Sequence, residues 1–233
     1  MDIIMIPGLW LDGSSWSAVT PLLEQAGHRV RALTLPGKES RDADRSGIGL
    51  QDHVDFVVAA VDEAAEPVVL VGHSGGGLIA QLASDARPEK VARVVYVDAA
   101  PMPEGSLIND EIPIVDHELP LPDWGFFEDE DLVDLDEAMR ERFREQAVPE
   151  PVGVAYDRSV FTSERRREVP TTIVCCEFPA KMIQEWIEQG APFVREIKAM
   201  RHVEYVDLPT GHWPQFTKPA ELGRILLEAV ART

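Results

Sequence analysis

Short apolar runs alternate with longer stretches of helical spacing along most of the chain. Asp2–Ile6 is apolar and stops at Pro7-Gly8, the pattern of a buried opening strand. Ser14–Ala26 reads as a helix closed by Gly27, and His28–Thr34 as a second strand closed by Pro36-Gly37. Residues 38–48 are polar and charged and read as a loop. In Leu50–Ala65, Val54, Val57, Val58 and Val61 share one helical face. Pro67–Val71 is continuously apolar, as a central parallel strand covered on both faces must be. A helix at Gly76–Ala86 and strands at Val91–Val97, Thr171–Cys176 and His202–Val206 follow, with a closing amphipathic helix at Pro219–Ala231.

Strands alternating with helices predict an α/β protein. The expected architecture is a three-layer α/β/α sandwich around a mostly parallel sheet of about six strands, with right-handed crossovers. Residues 100–168 break this rhythm. They are rich in Pro, carry an acidic run at Glu128–Glu137, and include Trp124, Phe126 and Phe127. The stretch is too long for a connecting loop in a compact domain. A disordered acidic loop is one reading, but the aromatics and the helical run Glu137–Gln146 favour a folded helical cap. The expected organisation is therefore one core domain from residues 1–99 and 169–233, with a lid insertion at 100–168.

Charge narrows the partners. Against 22 basic residues stand 41 acidic ones, a net charge of −19, which disfavours nucleic acid and anionic membrane surfaces. No apolar run approaches the roughly 18 residues that span a bilayer, and the N-terminus lacks a basic leader, so the expected compartment is the cytoplasm. Cys175 and Cys176 are adjacent, so on a strand they point to opposite faces. They lack zinc spacing and are expected to be reduced. Neither a metal nor an organic cofactor is implied, and no signature of a particular oligomeric state is present.

The chemistry concentrates in Gly72-His73-Ser74-Gly75-Gly76, a G-x-S-x-G motif. It directly follows the strand Pro67–Val71 and opens the helix Gly76–Ala86, the strand–turn–helix setting that a nucleophile elbow requires. A serine hydroxyl needs a base. Of six histidines, His212 alone follows the last strand, in Pro209-Thr210-Gly211-His212-Trp213-Pro214, at the edge of a parallel sheet where residues from several strands meet. Two acids sit at strand ends between Ser74 and His212. Glu177 is favoured as the third member, with Asp98 the alternative. Backbone N–H groups of Leu9 and Gly75 are the expected oxyanion donors. Trp10 is read as a pocket wall or as core. Trp124 and Trp213 are expected, with Trp10, to contact substrate.

These motifs, with Ile6-Pro7-Gly8-Leu9-Trp10, Tyr96-Val97-Asp98-Ala99-Ala100-Pro101 and Gly211-His212-Trp213-Pro214, resemble the α/β-hydrolase fold family over essentially the whole length. The small esterase and hydroxynitrile-lyase branch is the most similar. The resemblance implies a cap between Val91–Val97 and Thr171–Cys176, and an acid after the latter, which lands on Glu177. Three departures stand out: Pro7 where the branch usually has His, Glu177 where it usually has Asp, and Gly75 where it has a larger residue, which is expected to widen the site.

The expected function is a serine hydrolase that cleaves a small neutral or aromatic carboxylic ester or lactone through an acyl-enzyme on Ser74, with a small-molecule substrate. Two other readings use the same fold: the same triad applied to C–C cleavage, lyase or cofactor-free oxygenase chemistry, and a non-catalytic receptor for a small ligand.

Overall fold

The computed structural model describes all residues from Met1 to Thr233. Six strands form one all-parallel sheet, and two more form a short separate ribbon. In chain order they are β1 (Asp2–Ile6), β2 (Arg29–Ala32), β3 (Val68–His73), β4 (Val91–Val97), β5 (Glu118–Leu119), β6 (Glu150–Pro151), β7 (Thr171–Cys175) and β8 (Val203–Asp207). The main sheet runs β2-β1-β3-β4-β7-β8, and β5 pairs antiparallel with β6. The helices are α1 (Thr20–Gln25), α2 (Leu50–Asp62), α3 (Gly75–Ala86), α4 (Glu137–Gln146), α5 (Val152–Tyr156), α6 (Ala180–Gln189), α7 (Arg195–Ala199), α8 (Pro214–Thr217) and α9 (Pro219–Val230).

Side chains alternate across a strand, so a sheet covered on both faces needs apolar residues at every position. β1 and β3 supply them. Ile4, Ile6, Val68 and Leu70 enter a core with α2, α3, α6 and α7. Ile3, Met5, Val69 and Val71 enter a second core with Trp16, α1 and α9. The result is the three-layer sandwich that the alternation predicts. A third cluster joins Leu9, Trp10 and Leu11, just past β1, to Ile112, Leu119, Leu135, Phe143 and Trp213. Residues of the 100–168 stretch thus pack over the carboxyl ends of β1 and β8.

Strand order reverses direction between β1 and β3, so their following loops diverge and leave a crevice at the carboxyl edge. The loop Gly8–Leu9 and Ser74 meet there: a Cβ added to Gly8 would lie 3.0 Å from Ser74 Cβ.

Most element ends shift by a few residues from the pattern, and three differences are larger. The helix expected over Ser14–Ala26 is a 3₁₀ turn at Gly13–Trp16 followed by α1, with Pro21 in the first turn of α1. Proline is tolerated in a first turn but lacks the N–H that a helix interior needs, so the chain restarts its helix there. The second strand is shortened to Arg29–Ala32. Helices α6 and α7 occupy a stretch the pattern left unmarked; α6 buries only Ile183. Cys175 ends β7 and Cys176 lies just past it, and both thiols are buried. No helix is long and apolar enough to cross a membrane.

The crossing of β1 and α3 is a tight point of the fold. A Cβ on Gly76 would sit 2.5 Å from the carbonyl oxygen of Pro7 and 2.6 Å from that of Ile6, and neither backbone group can swing aside. Gly76→Ala is therefore expected to destabilise the protein by about 1–3 kcal/mol in urea unfolding. Gly125→Ala, which meets nothing within 4 Å, is the matched control and is expected to leave the midpoint in place.

Candidate active site

Ser74 connects β3 to α3 with φ 52° and ψ −125°, a positive φ on a residue with a Cβ. Such a conformation is costly and persists only when its surroundings enforce it. Here the Ser74 N–H donates to Val97 O (3.1 Å) and its carbonyl accepts from Gly77 N (2.8 Å). Gly72 packs against the backbone of Gly76 and Gly77 so closely that no side chain fits. The turn thrusts the hydroxyl out at the start of α3, where the N–H groups of the first helical turn lack intrahelical acceptors.

Ser74 Oγ lies 2.8 Å from His212 Nε2. The other ring nitrogen, Nδ1, lies 2.7 Å from Asp98 Oδ2 and 2.8 Å from Glu177 Oε1. Both acids expected from the strand ends thus reach the same imidazole. A neutral imidazole has one N–H to give, and geometry assigns it to Asp98. Glu177 Oε1 is buried and makes no hydrogen bond. Asp98 is itself fixed, since Oδ1 accepts from the backbone N–H of Cys176 (3.1 Å) and Glu177 (3.2 Å). Its φ of 44° is one that Asp tolerates better than most residues.

The charges at this point compete. Burial acts to deprotonate His212, but the Asp98 hydrogen bond and the close carboxylates of Asp98 and Glu177 outweigh it and push the imidazole up to about 10. Burial raises Glu177 to about 7, with the Asp98 charge adding to the rise and His212 opposing it. Asp98 also feels desolvation, yet its bond to His212 holds it below the usual carboxylate range.

His73 has a role that the sequence reading did not find. Its ring is buried beneath the site, and Nε2 donates to the carbonyl of His212 at 2.6 Å. Nδ1 accepts from Gln215 Nε2 at 3.3 Å. Burial, reinforced by the nearby His212 charge, lowers its pKa to about 3, so it stays neutral and keeps this single donor–acceptor arrangement. The spacing offered one hint, a buried polar residue between a strand and the serine, but not its partner 139 positions away.

Leu9 and Gly75 face each other across the crevice: a Cβ on Gly75 would lie 3.5 Å from Leu9 Cδ2. The widening expected from Gly75 does not occur, because Ile108 fills the space and that same Cβ would lie 2.8 Å from Ile108 Cγ2. The three tryptophans expected to contact substrate lie in one aromatic cluster. Trp213 is buried with its ring 5.2 Å from Phe143 and 6.1 Å from Trp124, while Trp10 is buried edge-on to Phe127 at 5.7 Å. Trp124 is half-buried, with Arg144 above its ring. Their indoles pack the 100–168 stretch onto the sheet edge.

The insertion also holds the base. The N–H of His212 donates to Asp131 O (2.8 Å) and that of Gly211 to Val133 O (3.1 Å).

Comparison with known proteins fits this arrangement. The sequence model of the alpha/beta hydrolase family matches residues 3–225. A pyrethroid hydrolase from Sphingobium wenxiniae is 36% identical over 99 residues, 42% of this chain and 35% of that protein. A carbendazim hydrolyzing esterase from a Nocardioides species is 33% identical over 101 residues, covering 42% and 41%. Salicylic acid-binding protein 2 of Nicotiana tabacum is 35% identical over 108 residues, covering 43% and 40%. Each match spans well under half the length of the relative. Among solved structures, an extracellular alpha/beta-hydrolase from a Paenibacillus species superposes with a TM-score of 0.78 at 18% identity, covering 98% of both chains. An Arabidopsis methylesterase does so with a TM-score of 0.76 at 18% identity over the full length of both. The family match runs through the Ser74 elbow, both carboxylates and the His212 loop, and the chain belongs to the alpha/beta hydrolase family.

Proposed function

We propose that the protein is a serine hydrolase that cleaves a small, neutral, partly aromatic carboxylic ester or lactone through an acyl-enzyme on Ser74. The observation that carries this reading is the continuous hydrogen-bond line from Ser74 Oγ through His212 to Asp98. Ester-cleaving names among the relatives, a carbendazim hydrolyzing esterase and a pyrethroid hydrolase, support it.

In this mechanism His212 Nε2 takes the Ser74 proton as the hydroxyl attacks the carbonyl carbon. The N–H groups of Leu9 and Gly75 receive the developing oxyanion. His212 then passes the proton to the leaving alkoxide, the ester C–O bond breaks, and the acyl group remains on Ser74. Water, deprotonated by the same nitrogen, releases the acid. Asp98 orients the ring and stabilises the imidazolium. Glu177 supplies a second negative charge near Nδ1 without taking its proton.

Activity on an activated ester such as p-nitrophenyl acetate tests the roles. Ser74→Ala and His212→Ala are expected to lower kcat by roughly 10⁴–10⁶. Asp98→Asn is expected to cost about 10⁴, because the amide favours the wrong tautomer. Glu177→Gln is expected to cost far less. A collapse in Glu177→Gln beside a working Asp98→Asn would reverse the assignment of the acid.

The pH profile gives a separate test. Attack requires neutral His212, so kcat/KM rises as pH climbs through the imidazole pKa. Glu177 raises that pKa, together with Asp98. Removing its charge in Glu177→Gln is therefore expected to move the acidic limb of kcat/KM to lower pH, by about one unit or more. An unmoved limb would show that Glu177 is uncharged while the enzyme works.

A further inference from the structure

Trp10 is strained. Its φ is 64°, in the left-handed region where a bulky side chain clashes with its own backbone, and it follows Leu9 directly. Three hydrogen bonds hold it there. Its N–H donates to Glu150 Oε2 (3.0 Å), its carbonyl accepts from Val148 N (2.9 Å), and its indole Nε1 donates to Leu119 O (3.1 Å). All three partners lie in the 100–168 insertion, more than a hundred positions away.

Glu150 is in turn held by Lys38. The Lys38 ammonium donates to the same Oε2 at 2.5 Å and to Val148 O at 3.1 Å. Side-chain exposure is 1% for Lys38 and 3% for Glu150, so neither charge has water to rely on. Burial acts to lower the pKa of Lys38, and the Glu150 carboxylate opposes it. A buried pair of this kind is weak evidence for stability, because desolvation can exceed the attraction. Its placement is more informative. One small cavity is lined both by Leu9 and Gly75 and by Lys38 and Glu150. The pair therefore lies beside the two residues whose N–H groups are assigned to the oxyanion.

We propose that Glu150, neutralised by Lys38, is a positioning residue for the oxyanion loop. This rests on the hydrolase reading above. Fixing the N–H and the C=O of Trp10 sets the peptide planes on both sides of it. The first plane contains the Leu9 carbonyl, so the chain beside Gly75 cannot relax with Trp10 into an ordinary φ, and in this proposal the restraint carries back across the Leu9 Cα to its N–H. Pro7, with no side-chain donor or acceptor, cannot brace the loop from the strand side; the insertion does so through Glu150. The carboxylate suits this role because a charged acceptor binds a backbone N–H more strongly than a neutral one.

Two double variants separate positioning from bulk stability. Lys38→Met/Glu150→Gln removes both charges but keeps an acceptor for the Trp10 N–H. Lys38→Met/Glu150→Leu removes the acceptor as well and leaves no buried charge unpaired. Measured on p-nitrophenyl acetate, kcat of the Leu variant is expected to fall about 10- to 100-fold below that of the Gln variant, with KM within about threefold. Phosphonylation of Ser74 by a p-nitrophenyl phosphonate, which builds the same charge on oxygen, is expected to slow in parallel. Thermal midpoints of the two variants are expected to agree closely. Equal kcat in the two variants would overturn the proposal, as would a loss of kcat matched by a lower midpoint in the Leu variant alone. If that variant does not fold, Lys38→Met/Glu150→Met makes the same comparison with a more adaptable side chain. A wild-type protein that neither turns over esters nor labels at Ser74 would overturn the hydrolase reading and this proposal together; labelling and turnover with matched variants would overturn the positioning role alone.

Discussion

Everything at the site depends on one residue held in an unfavourable backbone conformation. Ser74 at φ 52° makes the chain turn from β3 into α3 within one residue. That turn is possible only because the neighbouring segments come closer than side chains allow. Gly72 lies against the Gly76 backbone, Gly76 against the carbonyls of Pro7 and Ile6, and Gly8 against Ser74 itself. The same close approach that permits the turn brings the loop after β1 beside the first N–H of α3. The placement of Ser74 and of the proposed oxyanion donors Leu9 and Gly75 therefore follows from one packing constraint, and the strand order that reverses between β1 and β3 is what sets them in a crevice.

The electrostatics follow a different logic. Two carboxylates converge on one Nδ1, but an imidazole has one proton to donate there. Geometry gives it to Asp98, whose second oxygen is already committed to two backbone N–H groups. Glu177 is left close and unbonded, and burial raises its pKa to about 7. A buried carboxylate this close to the ring adds to the negative charge that raises the His212 pKa. His73 works from the opposite side and by the opposite means. It is buried, neutral and fixed, so it holds the His212 carbonyl while contributing no charge.

How much of this was legible depended on the range of the interaction. The sheet strands were readable because burial on both faces leaves a nearly continuous apolar run, as in Asp2–Ile6 and Val91–Val97. The elbow was readable because its glycines lie within five residues, and His212 because its loop follows the last strand. The helix break at Pro21 was also local and was missed only because the apolar spacing continues across it. The sequence favoured Glu177 over Asp98, whereas the hydrogen bond from His212 goes to Asp98. Both end adjacent parallel strands, so both reach the same point, and only hydrogen-bond direction separates them. The part played by the tryptophans was not readable for a related reason: composition shows that aromatic residues are present, not whether their rings face a ligand or one another. Lys38 and Glu150 were invisible, since a buried pair 112 positions apart looks in sequence like two ordinary charges.

The 100–168 stretch gathers these long-range bonds in one place. Asp131 and Val133 carbonyls take the N–H groups of His212 and Gly211, while Leu119, Val148 and Glu150 hold Trp10. Ile108 fills the space over Gly75. A segment that only covered the crevice would need none of these backbone bonds to the loops beneath it. Because it makes them, the parts of the chain that shape the space above Ser74 are the same parts that hold the His212 loop and the Leu9–Trp10 loop in place. In the proposed hydrolase, specificity and catalytic geometry are then coupled: a change that reshapes the 100–168 stretch also alters the supports of His212 and Trp10. The dense packing of Trp10, Phe127, Phe143 and Trp213 is what makes that coupling stiff, since large rings in edge-on contact leave little room for one loop to shift without the others.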